Sequence, residues 1–207
     1  MAHLTKVKIS NNNWDNSDSD LIVVGVYEDK TFSSIAKSIN EQNGKLFDNA
    51  IDIGDIKGKK GESHLFYIEN KRILLMGLGK KEKFNENEAR LIAGSASRYA
   101  IDKKIDNFSI ECFPEQKSFC QAFGEGLVLG SYQFFEYKTK KDNNKFILQN
   151  VSVMGGNSNH ILKGSSIGEA VCLARDLGNY PGNVATPSKL AQVAKEIADE
   201  GEMNVKI

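Results

Sequence analysis

The sequence predicts an α/β layer fold, a sheet flanked by helices, and three observations carry that expectation. The stretches LIVVGVY at 21–27 and RILLMGL at 72–78 are continuous apolar runs of strand length, as found in strands covered on both faces. Other segments repeat their apolar residues at three- and four-residue intervals, the helical period. The two patterns alternate along the chain with no internal repeat, which is the order of an α/β fold.

Taken in order, TKVKIS at 5–10 alternates like an edge or half-buried strand, with Val7 and Ile9 on one face. The polar loop NNNWDNSDSD then leads into the buried run at 21–27. Phe32, Ile35, Ala36 and Ile39 recur at helical spacing, and the helix should end near Asn43-Gly44. HLFYIE and RILLMGLG, with a turn at Asn70-Lys71, predict two adjacent strands. Asn85 is placed as an N-cap, with Glu86 and Glu88 in the first turn where they favour the helix dipole. The helix it opens carries Ile92, Ala93, Ala96 and Ala100. NFSIECF predicts another strand, and Pro114 the start of a helix that shows Phe119, Phe123 and Leu127 on one side. NKFILQNVSVMGG supplies one more strand region.

A further helix is expected from about Ser165 to Leu177, buried through Ile167, Ala170, Val171 and Ala174. GNYPGN after it cannot be helical, because Pro181 pushes Tyr180 to extended geometry. Thr186-Pro187 then starts a helix, with Thr as N-cap and Pro where its missing N–H costs nothing. Leu190, Val193, Ala194 and Ile197 form its apolar stripe, Gly201 ends it, and MNVKI begins to alternate like a strand. The expected organisation is a domain over 1–163, a connecting helix over 164–179, and over 180–207 the first helix of an incomplete second α/β domain.

Composition narrows the function. The chain has 207 residues, 40% hydrophobic and 26% charged, which is ordinary for a globular protein. Its 27 Lys and Arg balance 27 Asp and Glu, so no global basic field draws in nucleic acid or an anionic membrane. The N-terminus lacks the apolar core of a secretory signal, and no apolar run approaches a membrane span. Cys112, Cys120 and Cys172 are odd in number and form no CxxC pair, which points to buried thiols in a reducing compartment, the cytoplasm.

Motifs that could carry chemistry read mostly as structure. Gly77-Leu-Gly79-Lys80-Lys81 follows a buried strand, yet it lacks the third glycine of a dinucleotide loop and the Ser or Thr of a P-loop. GEGLVLGSY lies inside a helical pattern with no strand before it, so Gly124, Gly126 and Gly130 mark a face where another element packs closely. Tyr132, Phe134, Phe135 and Tyr137 stand beside Lys138, Lys140, Lys141 and Lys145, a pattern that could stack single-stranded nucleic acid. Interleaved Glu136 and Asp142 favour packed rings and a solvated loop instead. Lys57–Glu62 and Lys80–Lys83 are two further lysine clusters, which the fold would have to gather to make one patch. His3, His64 and His160 have no ligand-spaced partners, and no nucleophile motif is present. Catalytic, cofactor-binding and metal-ligating residues are therefore expected to be absent from this chain.

RDLGNYPGNVATP resembles the N-x-P-x-N-x-x-T-P signature that joins the two domains of the leucyl (cytosol) aminopeptidases, with Asn179, Pro181, Asn183, Thr186 and Pro187 in the matching places. LIVVGVYED, RILLMGLGKKEKF and GEGLVLGSYQFFEYKTKK resemble, in the same order, parts of that family's N-terminal domain. The resemblance implies a macro-domain-like sheet and a non-catalytic N-terminal region. In the full-length family, two divalent metals, Mn or Zn, sit in a larger catalytic domain, and peptides are cut there at their N-terminal residue. The motifs V-G-K-G-x-x-F-D-(S/T)-G-G and N-T-D-A-E-G-R that hold those metals do not occur here. The partners implied are the missing catalytic domain and, in the full-length family, a homo-hexamer. The alternative left open is a stand-alone binding module for ADP-ribose-like ligands, which macro-type folds can hold in such loops, or for nucleic acid.

Overall fold

The computed structural model describes residues 4, 6–10, 13–113, 116–137 and 145–207. Six strands form one sheet: β1 (Lys6–Ser10), β2 (Leu21–Val26), β3 (Ser63–Ile68), β4 (Lys71–Gly77), β5 (Asn107–Glu111) and β6 (Asn150–Met154). Their order across the sheet is β1-β6-β5-β2-β4-β3. All neighbours are parallel except β3, which pairs antiparallel with β4 through the tight turn at Asn70. The continuous apolar run therefore sits in the middle, and all six residues of β2 are buried. The alternating β1 lies at an edge, with Val7 turned inward and Lys6 and Lys8 exposed.

Helices cover both faces: α1 (Ser34–Gln42), α2 (Leu46–Ile53), α3 (Glu86–Asp102), α4 (Lys117–Ser131) and α5 (Ser158–Asn179); α6 (Pro187–Glu200) follows and contributes to neither core. Ile22, Val24 and Val26 point to one face, where they meet Ile39 of α1, Phe47 of α2, and Ile73 and Leu75 of β4. Leu21 and Val23 point to the other, with Ile92 and Ala96 of α3, Phe123 and Leu127 of α4, and Ile161 of α5. Burying a side chain such as Phe47, which is fully enclosed, stabilises the fold by about 2–3 kcal/mol.

Asn85 caps α3 as expected, accepting from the amides of Asn87 and Glu88 at 2.9 and 3.1 Å. The short helix α2 has no strong signal in the sequence. Its N-terminal cap comes from the helix before it: the buried Asn40 side chain accepts from Phe47 N at 2.8 Å and from Asp48 N at 3.2 Å. Pro114 lies outside the described residues; the helix expected after it is α4, with Phe123 and Leu127 buried.

The structure corrects the reading of α5. The helix starts at Ser158 rather than near 165, and Asn157 caps it through a bond from His160 N. Its buried face is Ile161, Gly164, Ser165, Gly168, Cys172 and Asp176, while Ala170, Val171 and Ala174 are exposed and Ile167 is half-buried. The reason is contact distance. A Cβ on Gly164 would lie 2.0 Å from Gln121 O, and one on Gly124 would lie 2.1 Å from Ile161 O. Helices α4 and α5 touch backbone to backbone along their small residues, so the face with fewer methyl groups is the buried one. In α6, Val193 and Ala198 are buried, whereas Leu190 and Ile197 are 46% and 43% exposed. Residues 203–207 form no strand and are exposed.

Candidate functional site

The chain leaves β2 for α1 on one face of the sheet and β5 for α4 on the other. Between the C-terminal ends of two such strands, an open α/β sheet offers its usual ligand crevice. Here Glu111, the last residue of β5, fills that place and is only 5% exposed. It accepts from the Ser33 hydroxyl and from Ile35 N at 2.9 Å, and the amides of Ala36 and Ser34 also favour its charged form. Ser33 Oγ in turn accepts from Gly25 N at 3.1 Å. Burial pushes the Glu111 carboxyl above the ordinary carboxylate range, against the pull of the Ser33 hydroxyl and the α1 amides. The helix N-terminus that could have received a phosphate is held by the chain's own carboxylate.

The glycine turn after β4 is equally self-satisfied. Gly79 adopts φ +77, Gly79 N donates to Gly58 O at 2.8 Å, and Leu78 N donates to Val26 O at 2.8 Å. These amides are spent inside the loop, so the turn does not form the nest of free N–H groups that a phosphate needs. It does bring two lysine clusters together: Lys60, Lys80 and Lys83 line one cleft of about 290 Å³. Glu28 and Glu88 line it as well, and Lys60 pairs with Glu88 at 2.6 Å. Of the third cluster, Lys138, Lys140 and Lys141 lie outside the described residues, and Lys145 stands 5.8 Å from the Phe135 ring centroid.

The signature segment is where sequence and structure converge. The last turn of α5 is fastened to Tyr132, the residue that ends α4. Tyr132 donates its hydroxyl hydrogen to Asp176 Oδ1 at 2.8 Å and accepts from Asn179 Nδ2 at 3.0 Å. Asp176 is buried, its Oδ2 has no hydrogen-bond partner, and the Arg175 guanidinium lies 5.4 Å from the Tyr132 ring centroid. Burial, then the bond to Asp176, pushes the Tyr132 phenol upward. Tyr180 packs its ring against Phe134 and Tyr137, at 6.0 and 6.2 Å between centroids. The aromatic stretch that could have stacked bases is thus the socket for the signature. Beyond it, Val184 N and Ala185 N both donate to Pro181 O, and Thr186 Oγ1 accepts from Lys189 N to start α6. Pro181, Gly182 and Asn183 themselves are exposed.

Among the described residues, no three of His, Cys, Asp and Glu gather as metal ligands. The two divalent metals implied by the family resemblance therefore do not fit the donor sets described here. His64 lies in β3, 4.7 Å between ring centroids from Phe66. Among the described residues, no helix is long and apolar enough to cross a membrane.

Fold and site together define a three-layer α/β architecture with a crevice closed by Glu111 and an exit segment anchored at Tyr132. Residues 23–141 match the family model described as "Cytosol aminopeptidase family, N-terminal domain", and the chain belongs to that family. It is 31% identical to a probable cytosol aminopeptidase of Alkaliphilus metalliredigens, over 98% of this chain and 44% of the relative. It is 32% identical to one of Roseiflexus castenholzii, over 87% of this chain and 38% of the relative. A tomato leucine aminopeptidase mutant superposes with a TM-score of 0.74 at 22% identity, over 97% of this chain and 43% of that one. The bottromycin maturation enzyme BotP superposes with a TM-score of 0.69 at 20% identity, over 90% and 38%. The chain spans less than half the length of each of these relatives, and what it corresponds to is their N-terminal region.

Proposed function

We propose that this chain is the non-catalytic region of a cytoplasmic leucyl-aminopeptidase-like metalloexopeptidase, in which it supports and positions a catalytic domain. In this reading residues 1–163 are the non-catalytic domain, 164–179 continue as the connecting helix within α5, and 180–207 open the catalytic domain. The parent enzyme would remove N-terminal residues from peptides with two divalent metals, Mn or Zn, supplied with ligands by that domain. One metal-activated water would attack the scissile carbonyl there. The parent would assemble as a homo-hexamer, and this chain would meet peptide substrates only through the catalytic domain.

The observation that carries the reading is the Tyr132 clamp. It holds the last turn of α5, where the chain leaves that helix, through Arg175, Asp176 and Asn179. A linker held this way transmits position, which is what a supporting domain supplies. The sealed crevice at Glu111 and the spent amides at Gly79 weigh against a stand-alone nucleotide-binding module.

The test is an assay of purified residues 1–207 with leucyl p-nitroanilide and Mn²⁺, beside a protein extended through the family's metal-ligand motifs. The extended protein should release leucine and the 207-residue chain should not. Release by the shorter chain that survives removal of host peptidases would refute the assignment.

A further inference from the structure

The sequence has only four arginines, Arg72, Arg90, Arg98 and Arg175, among its 27 basic residues. Three of them line one groove of about 340 Å³ where α3, α4 and α5 meet, and no lysine lines it. Gly94, Gly126 and Gly130 line it as well, and there the helices touch through backbone: a Cβ on Gly130 would lie 2.3 Å from Gly94 Cα. Leu91, 45% exposed, and the half-buried Leu129 flank it.

The three arginines differ in how far they are committed. Arg90 gives Nε and Nη2 to Glu125 Oε2 at 2.8 and 2.7 Å, and Glu125 is nearly buried. Arg98 makes one long contact, to Tyr132 O at 3.4 Å; Arg175 makes one, to Leu129 O at 3.5 Å, and lies over the Tyr132 ring, which leaves the edge of its guanidinium open. Neither has a carboxylate partner among the described residues. Both side chains line the same groove, and among the described residues most of their five N–H donors have no partner. No acidic side chain lines this groove. The lysine clefts differ: Glu28 and Glu88 face Lys60, Lys80 and Lys83 in one, and Glu41 and Asp48 face Lys37 and Lys45 in another. In a chain of zero net charge, Glu125 offsets Arg90, and Arg98 and Arg175 give the groove its local positive charge.

We propose that this groove is a docking site for an acidic segment of another polypeptide. A carboxylate of that segment bridges Arg98 and Arg175, and an aliphatic neighbour rests on Leu91 and Leu129. Charge complementarity selects the partner, and the planar fork explains arginine in a chain that otherwise uses lysine, because a guanidinium grips a carboxylate with two parallel bonds.

Fluorescence anisotropy of the 207-residue chain with a labelled, end-blocked peptide of alternating Leu and Glu tests this, with the Leu/Gln peptide as control. The Glu peptide should bind and the Gln peptide should bind at least about tenfold more weakly. Arg98→Gln should weaken the Glu peptide about tenfold, and Arg98→Lys severalfold although charge is kept. Lys60→Gln, in the other cleft, should change nothing. Arg98 is exposed, so its variants should keep the wild-type circular dichroism; Arg90 is left alone because its loss would strand Glu125. Equal binding of the two peptides, unchanged affinity in Arg98→Gln, or no binding of the Glu peptide at millimolar concentration would each overturn the proposal. So would binding of inorganic phosphate at the groove without binding of the peptide.

Discussion

Replacing Glu111 by alanine tests whether the crevice at the C-terminal edge of the sheet is truly closed from within. The carboxylate accepts from the Ser33 hydroxyl and the Ile35 amide, and the amides of Ser34 and Ala36 also favour its charge. Losing charge-assisted bonds to such a group costs about 2–3 kcal/mol, and this figure already contains the helix-capping contribution for α1. The emptied space of a side chain 5% exposed adds about 1 kcal/mol. The expected loss is about 3–4 kcal/mol, a large part of the roughly 5–15 kcal/mol that holds a domain together. Glu111→Gln keeps the shape and one acceptor, and should cost about 1–2 kcal/mol. Urea unfolding at neutral pH, followed through the single tryptophan Trp14, reads both numbers. Because the Glu111 carboxyl is held above its unfolded value, the folded state keeps a proton that the unfolded state releases as pH rises between the two values. The pH-dependent part of its contribution is therefore full below the ordinary carboxylate range and lost as pH climbs through the raised folded value. The losses expected at neutral pH are what the packing and hydrogen bonds still supply once that part is gone. The advantage of wild type over Glu111→Gln should shrink across that window. Inorganic phosphate should stabilise Glu111→Ala more than wild type, since the freed amides then face an open site. An alanine variant within about 0.5 kcal/mol of wild type would refute the reasoning, because it would mean that water serves the α1 amides equally well.

Three other outcomes follow from the same geometry. Tyr132→Phe removes the partner of Asp176 Oδ1 while Oδ2 already has none, so a buried carboxylate is left unpaired; urea unfolding should show a loss of about 2 kcal/mol, with faster amide exchange over 176–186. Gly130→Ala places a Cβ against the Gly94 backbone, which cannot yield as a side chain would; denaturant titration should show a loss of about 2 kcal/mol or more, whereas Gly178→Ala, with nothing within 4 Å, should be neutral or stabilising. Burial pushes the Cys172 thiol up to about 11, with Asp176 and Glu169 adding to it and Arg175 opposing. Native protein at about pH 8.5, the ordinary thiol value, should resist iodoacetamide at Cys172, and protein in urea should not; mass spectrometry reads the difference.

Local rules were enough for much of this molecule. The β-branched run at 21–27 is the central strand because nothing polar interrupts it, and the alternating Lys6–Ser10 is an edge because half of it must meet water. Asn85 and Thr186 cap their helices as their positions require. The signature from Asn179 to Pro187 was legible as punctuation, and its anchoring residue, Tyr132, was visible as an aromatic cluster although its partner was not. Helix α2 was missed because its cap, Asn40, belongs to the preceding helix and reaches it only after the chain turns at Lys45.

The sequence by itself determined most of the strands and helices, with α2, the first turns of α5 and the unformed strand at 203–207 as exceptions, since hydrophobic period and capping act within a few residues. It also marked the glycines of α4 as a contact face. Tertiary structure alone decided which face of α5 is buried, because backbone contact between two helices rewards the absence of side chains, and a hydrophobic stripe predicts the opposite side. It alone decided that Glu111 closes the crevice over α1, and that three of four arginines share one groove. Apart from Arg90 and Arg98, which share one helix, these meetings join residues 37 to 85 positions apart, and a pattern read along the chain carries no information about them until the fold brings the elements together.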